Sequence, residues 1–214
     1  MDSCRPHTFS GPRSERGLVG IVLVCSALLL ASCASAGRSA NADETTNAPV
    51  LADLGNAGAV AAWTTVNDPV MGGMSTSMIT FGGGGLVFSG NVSLENNGGF
   101  ASARSPQDPD IGRRATGAKS LRVHAKGDGK TYLLKVGIAG QPWSYIQRFP
   151  TQAALPEVYN LPVEDFQPVG MRLDPALDAP QTLEPSHIDE VAVYILDKQR
   201  GPFEITVSAI DATP

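Results

Sequence analysis

Apolar and polar positions alternate with a period of two through most of the chain beyond about residue 51. Leu86-Val87-Phe88 opens one apolar run, and Val92-Ser93-Leu94 continues it. Leu121, Val123 and Ala125 fall on one face of a further run, with Arg122 and His124 on the other. Tyr132, Leu134, Val136 and Ile138 alternate with Leu133, Lys135 and Gly137. Val191, Val193 and Ile195 share a face, as do Phe203, Ile205, Val207 and Ala209. Successive side chains of a strand point to opposite sides, so each run predicts a strand with one face for a core. Turn residues separate the runs: glycines at 82–85, Asn96-Asn97-Gly98-Gly99, Gly127-Asp128-Gly129, Gly140-Gln141-Pro142 and Gly201-Pro202. Helical signal is confined to Ala57–Ala62, before Trp63, and to one turn at Leu161–Phe166. Many short strands punctuated by turns predict an all-β, antiparallel β-sandwich. Strand order does not follow from the pattern.

The first 50 residues follow a different rule. Arg5, Arg13 and Arg16 precede an uncharged apolar stretch from Leu18 to Ala31. A basic segment followed by an apolar one of this length predicts a signal peptide over residues 1–32. The stretch ends in Leu30-Ala31-Ser32-Cys33, which resembles the lipobox of bacterial lipoproteins. That resemblance implies cleavage before Cys33 and diacylglycerol on its sulfur, with stable anchoring once two or more acyl chains are attached. The alternative is an uncleaved anchor, since the uncharged run Gly17–Gly37 is just long enough to span a bilayer. Either way the remainder lies outside the cytoplasm, at a bacterial cell membrane or envelope. Residues 33–50 are small and polar without periodicity, and read as a flexible tether. Residues 51–214 read as one folded domain.

Composition sharpens this picture. The 214 residues are 42% hydrophobic and 17% charged, as in a globular protein with a core. Gly 23 and Pro 16 favour turns over a helical bundle. The net charge is -5. Removing residues 1–32 takes away three arginines, Asp2 and Glu15, so that 13 basic and 19 acidic residues remain of the 16 and 21. An acidic chain offers no electrostatic face for nucleic acid. The three cysteines are Cys4, Cys25 and Cys33, so the domain holds no internal disulfide and no cysteine-based zinc site.

Three stretches are more specific than ordinary loops. They are Trp63 to Ser75 (WTTVNDPVMGGMS), Asn96 to Arg104 (NNGGFASAR) and Asp197 to Ile205 (DKQRGPFEI), the last read as the final hairpin. With Lys126 to Tyr132 (KGDGKTY) they resemble the complex I intermediate-associated protein 30 family, in order from about Trp63 to Ala212. The resemblance implies a galactose-binding-like jelly roll and, from mitochondrial relatives, assembly or chaperoning of respiratory complex I. An outward-facing lipoprotein departs from that topology, which leaves the partner open.

The candidate binding residues are Trp63, Asn67, Asp68, Met71, Gly72, Gly73 and Ser75 in the first stretch. In the second they are Asn96, Asn97, Gly98, Gly99, Phe100, Ser102 and Arg104; Trp143 stands apart. Asn67 and Asp68 suit a turn, the glycines permit positive φ or close approach, and Arg104 offers a planar donor fork to Asp68 or to a ligand. Two readings stand side by side: structural locks of the sandwich, or a binding surface of loops on a rigid scaffold.

Catalytic signals are weak. Gly129-Lys130-Thr131 lacks the first glycine of a phosphate loop, because His124 occupies that place. Ser75 is not in a nucleophile elbow. His124 and His187 belong to no metal pattern, and Asp108 and Asp110 in a polar loop lack a diagnostic calcium spacing. Glu164-Asp165 and Asp189-Glu190 are adjacent, point apart in a strand and read as solvated charges. The expectation is a non-catalytic binding protein without metal or cofactor, anchored to a membrane and serving a protein client or membrane complex. The alternative is a glycan-binding module, with Trp63, Trp143 and Tyr145 as stacking platforms.

Overall fold

The computed structural model describes residues 48–214. The leader, Cys33 and the tether up to residue 47 lie outside the described residues. Period-two segments become strands wherever turn residues release them. The order is β1 (Val50–Asp53), α1 (Ala57–Ala61), β2 (Thr64–Asn67), β3 (Thr76–Gly82), β4 (Gly85–Val92) and β5 (Ala101–Arg104). Then follow α2 (Asp110–Ala115), β6 (Ser120–Lys126), β7 (Thr131–Ile138), β8 (Ser144–Pro150) and β9 (Pro156–Pro162). The chain ends with β10 (Gln167–Val169), β11 (Ile188–Ile195) and β12 (Gly201–Thr213). Asn56 starts α1 by accepting from the Ala59 N–H at 2.9 Å. Gly83 and Gly84, at φ 59° and 81°, supply the two positive-φ positions of the tight β3–β4 turn.

The strands form two antiparallel sheets. One runs β3-β4-β12-β6-β9, with β1 also on β12; the other runs β10-β8-β7-β11-β5-β2. Their facing sides meet in one core. Leu86, Phe88, Leu121, Val123, Phe203 and Ile205 come from the first sheet, and Ala103, Tyr132, Leu134, Val136, Val191 and Val193 from the second. Phe88 and Phe203 pack edge to face with centroids 4.9 Å apart. A smaller apolar cluster, Leu133, Ile146, Val169, Ala192 and Tyr194, lies on the other side of the second sheet, under Phe100, Leu173 and Leu196. Strand β11 is therefore buried on both faces.

The expected β-sandwich is present, and its strands at β4, β6, β7, β11 and β12 follow the pattern. Three details differ. Ala209 does not continue the inward face of β12. A bulge between Val207 and Ala209 shifts the register, so Ile210 and Ala212 are buried instead. The turns at 96–99, 127–129 and 197–200 do not close hairpins, because the strands flanking each belong to different sheets. Thus the Asp197–Ile205 stretch is a crossing between sheets. Helix α2 stands where a polar loop is expected: Asp108 accepts from the Asp110 N–H at 2.9 Å and from Arg114 at 3.1 Å, while Asp110 pairs with Arg113 at 2.6 Å. Among the described residues no helix is long and apolar enough to cross a membrane.

Phe88 is fully buried at the meeting of β4 and β12. Phe88→Ala is expected to lower unfolding stability by about 3–5 kcal/mol in urea titration. A loss below about 1 kcal/mol would mean that this ring is not part of a close-packed core.

Candidate functional site

The Asn67–Ser75 and Asn96–Arg104 stretches come together around one carboxylate. Asp68 opens a 3-10 turn over Asp68–Met71 and is wholly buried. Its Oδ1 accepts from the Ser75 N–H at 2.8 Å. Its Oδ2 accepts from the Ser75 hydroxyl and the Gly99 N–H, both at 2.5 Å, and from the Phe100 N–H at 3.2 Å. The Ser75 hydroxyl in turn accepts from the Ser93 N–H at 3.0 Å. Burial alone would push the Asp68 carboxyl up; the Ser75, Gly99 and Phe100 hydrogen bonds outweigh it and hold the group below its ordinary value.

The glycines fit this lock. A Cβ on Gly73 would run into the Asp68 side chain, and one on Gly98 would lie 2.7 Å from Asp68 Oδ2 and 2.9 Å from the Ser93 carbonyl. Gly72, at φ 90°, ends the 3-10 turn, and its carbonyl accepts from Asn96 Nδ2 at 3.2 Å. Asn96 and Asn97 take positive φ, which asparagine tolerates better than most residues. The Asn67 amide meets the Ser77 hydroxyl at 2.7 Å.

The other sequence candidates are dispersed. Trp63 is in the main core, as is Tyr145, whose hydroxyl donates to the Pro180 carbonyl at 2.8 Å. Trp63 offers no stacking face, whereas Tyr145, though only 2% exposed, lines the same cleft as Trp143. Arg104 does not meet Asp68, which lies beyond the opposite end of β5. Its guanidinium stands 5.3 Å over the Tyr194 ring, and its Nε donates to the Ser102 hydroxyl at 3.2 Å. Phe100 stacks on Tyr194 from the other end of β5, at 6.2 Å. Trp143 is half-buried, packs against the core and lines a cleft of about 540 Å³. Of the acid pairs, Glu164 and Asp165 are exposed, but Asp189 is buried in that same cleft.

The lock presents something that hydrogen-bonding chemistry does not announce. Val70, Met71 and Met74 on the locked loop are 71%, 60% and 56% exposed, and Leu94 beside Gly99 is partly exposed. These apolar side chains form a ledge on a loop held by the Asp68 hydrogen bonds. Only Met71 among them is a sequence candidate. The signal available in the sequence was their apolar character in a turn-rich segment, where polar residues are the rule.

The family model for complex I intermediate-associated protein 30 (CIA30) matches residues 52–207. The chain belongs to that family. The match spans the lock, the core and the cleft. No curated protein matches the chain. Among solved structures, the chain is similar to the family 11 carbohydrate-binding module of the cellulosomal cellulase Lic26A-Cel5E of Clostridium thermocellum. Identity is 12%, the match covers 72% of this chain and 88% of that one, and the TM-score is 0.50. It is also similar to a family 29 carbohydrate-binding module mutant at 11% identity, covering 76% and 89%, with a TM-score of 0.42. At such identities the first likeness establishes the β-sandwich fold and nothing about ligands.

Asp68→Ala leaves the Ser75, Gly99 and Phe100 donors without their acceptor, and is expected to cost about 3 kcal/mol or more. The carboxyl is lowered in the folded state, so its stabilisation is present above about pH 4 and is lost as pH falls through the lowered value. Urea titrations across that range should show a steeper acid loss in the native protein than in Asp68→Asn. Equal slopes would remove Asp68 as the acid-sensitive group.

Proposed function

We propose that this family member is a non-catalytic binding protein, held outside the cytoplasm through lipidated Cys33, that docks a protein client on the Val70–Met71–Met74 ledge. Its role is that of an assembly factor for a membrane protein complex. The observation that carries this reading is the ledge itself. Three large apolar side chains stand in solvent on a loop fixed from below by a buried carboxylate. Exposed apolar groups of this kind mark interaction sites, and methionine adapts to varied partner surfaces. Preformed backbone lowers the entropy lost on docking. The family supports an assembly role, and membrane tethering would raise the effective concentration of the ledge near membrane clients.

A glycan reading is supported by the likeness to the family 11 carbohydrate-binding module and by Trp143 at the cleft. It is the weaker one, because two of its three stacking candidates, Trp63 and Tyr145, are buried.

The test places a photo-crosslinking residue at exposed Asn97, next to the ledge, in the full-length protein in cells. One membrane-complex subunit should be captured reproducibly. Val70→Ser, Met71→Ser and Met74→Ser together should cut capture by about tenfold or more, as loss of central apolar anchors does. Circular dichroism should stay unchanged. Capture indifferent to the triple substitution, or recovery of envelope glycan alone, would end the client reading.

A further inference from the structure

The cleft beside Trp143 has no part in the ledge and carries its own chemistry. It lies where the β7–β8 turn and the segment leading into β11 meet. Ile138, Trp143, Pro180 and Ile188 give it apolar walls, and its volume is about 540 Å³. Its distinguishing group is Asp189. This residue is only 8% exposed, yet its carboxylate accepts no hydrogen bond from another residue and forms no ion pair among the described residues. Lys135 acts on it only from a distance.

The backbone explains how an acid came to be there. The β11–β7 register pairs Ile188 with Ile138 and Glu190 with Gly137, leaving Asp189 as the extra residue of a bulge. A bulge re-aims a side chain that simple alternation would send into the core. Gly137 makes room: a Cβ there would lie 3.0 Å from the Glu190 Cβ and 3.4 Å from Asp189 Oδ1. The carboxylate lines the cleft with no donor from another residue, so a donor entering the cleft can pair with it directly.

We propose that the cleft binds a primary ammonium group on a short apolar stem, with Asp189 as the charge partner and Trp143 as the aromatic wall. Three features favour a cation over a neutral sugar. Glu184 adds a second carboxylate to the lining, one of its oxygens being held by the Ser186 hydroxyl at 2.9 Å. Among the described residues no lysine or arginine lines the cleft, and His187 is its one basic-type side chain. Indole is also the best aromatic partner for a cation. Burial pushes the Asp189 carboxyl up, against smaller opposing pulls from its own N–H and from Lys135. An ammonium ion would relieve that penalty directly. The apolar walls match a methylene stem better than a ring edged with hydroxyls.

The shared chemistry has two sources, a free amine and a lysine side chain of another protein. Calorimetric titration of the full-length protein with cadaverine and with Nα-acetyl-lysine amide separates them. The neutral isostere 1,5-pentanediol and a mixed-linked tetrasaccharide serve as comparisons. At least one ammonium probe should bind and shift the Trp143 indole resonance, while pentanediol should not. Asp189→Asn should weaken binding by about tenfold or more, as loss of a charged partner does. Glu184→Gln, on the exposed rim, should weaken it less and keeps the test sound if the buried variant folds poorly. Absence of binding by both ammonium probes would overturn the proposal. So would affinity unchanged in both variants, or occupation of the cleft by the tetrasaccharide instead.

Discussion

The Asp68 carboxylate ties together two of the places where the chain leaves one sheet for the other. The segment from β2 to β3 crosses from the second sheet to the first, and that from β4 to β5 crosses back. Asp68 belongs to the first crossing and takes its donors from Ser75 at the end of that crossing and from Gly99 and Phe100 at the end of the other. A two-layer sandwich needs its crossings fixed, because apolar burial between the sheets is non-directional and does not set loop geometry. Directional, charge-assisted hydrogen bonds do. The glycine requirement follows from the same cause: Gly73 and Gly98 lie where any side chain would displace the carboxylate.

This explains why the most recognisable part of the sequence was legible as a motif and misleading as a surface. Asn67, Asp68, Ser75 and the paired glycines are residue types that hold turns or contact ligands equally well. Type and spacing show that they act together, but the direction in which Asp68 points is set by tertiary packing. Met71 was singled out with its polar neighbours, and it alone among the first-stretch candidates projects a large side chain into solvent. Val70 and Met74 passed without notice because apolar residues in a loop are ordinarily assigned to a core.

The same limit governs the strands. Alternation located β4, β6, β7, β11 and β12, whose apolar faces are long enough to declare their period. It passed over β3, β8, β9 and β10. Strand β3 is an edge strand with Met78 and Phe81 exposed, and β10 has three residues. Bulges defeat period-two reasoning altogether. The extra residue near Ser208 exchanges Ala209 for Ile210 on the core face, and the one at Asp189 turns a side chain that alternation would place in the core toward the cleft. Turn residues cannot disclose whether the next strand joins the same sheet, since glycine satisfies a hairpin and a crossing alike.

Strand β11 also separates the ledge from the cleft. Its Ile195 end pairs with Ala101, beside the Gly99–Phe100 donors, and its Ile188 end pairs with Ile138 at the cleft. Seven residue steps of about 3.3 Å place these ends up to about 23 Å apart. Side chains of β11 are packed on both faces, so this span is a rigid spacer rather than a hinge. Coupling between distant sites requires an element with two arrangements, and close packing on both sides leaves β11 with one. Substitutions in the ledge and in the cleft should then be additive, as for independent sites. The sandwich thus carries two chemically distinct surfaces on one frame, an apolar one on the loop fixed by Asp68 and an acidic cleft at the Asp189 bulge, and neither requires the other to move.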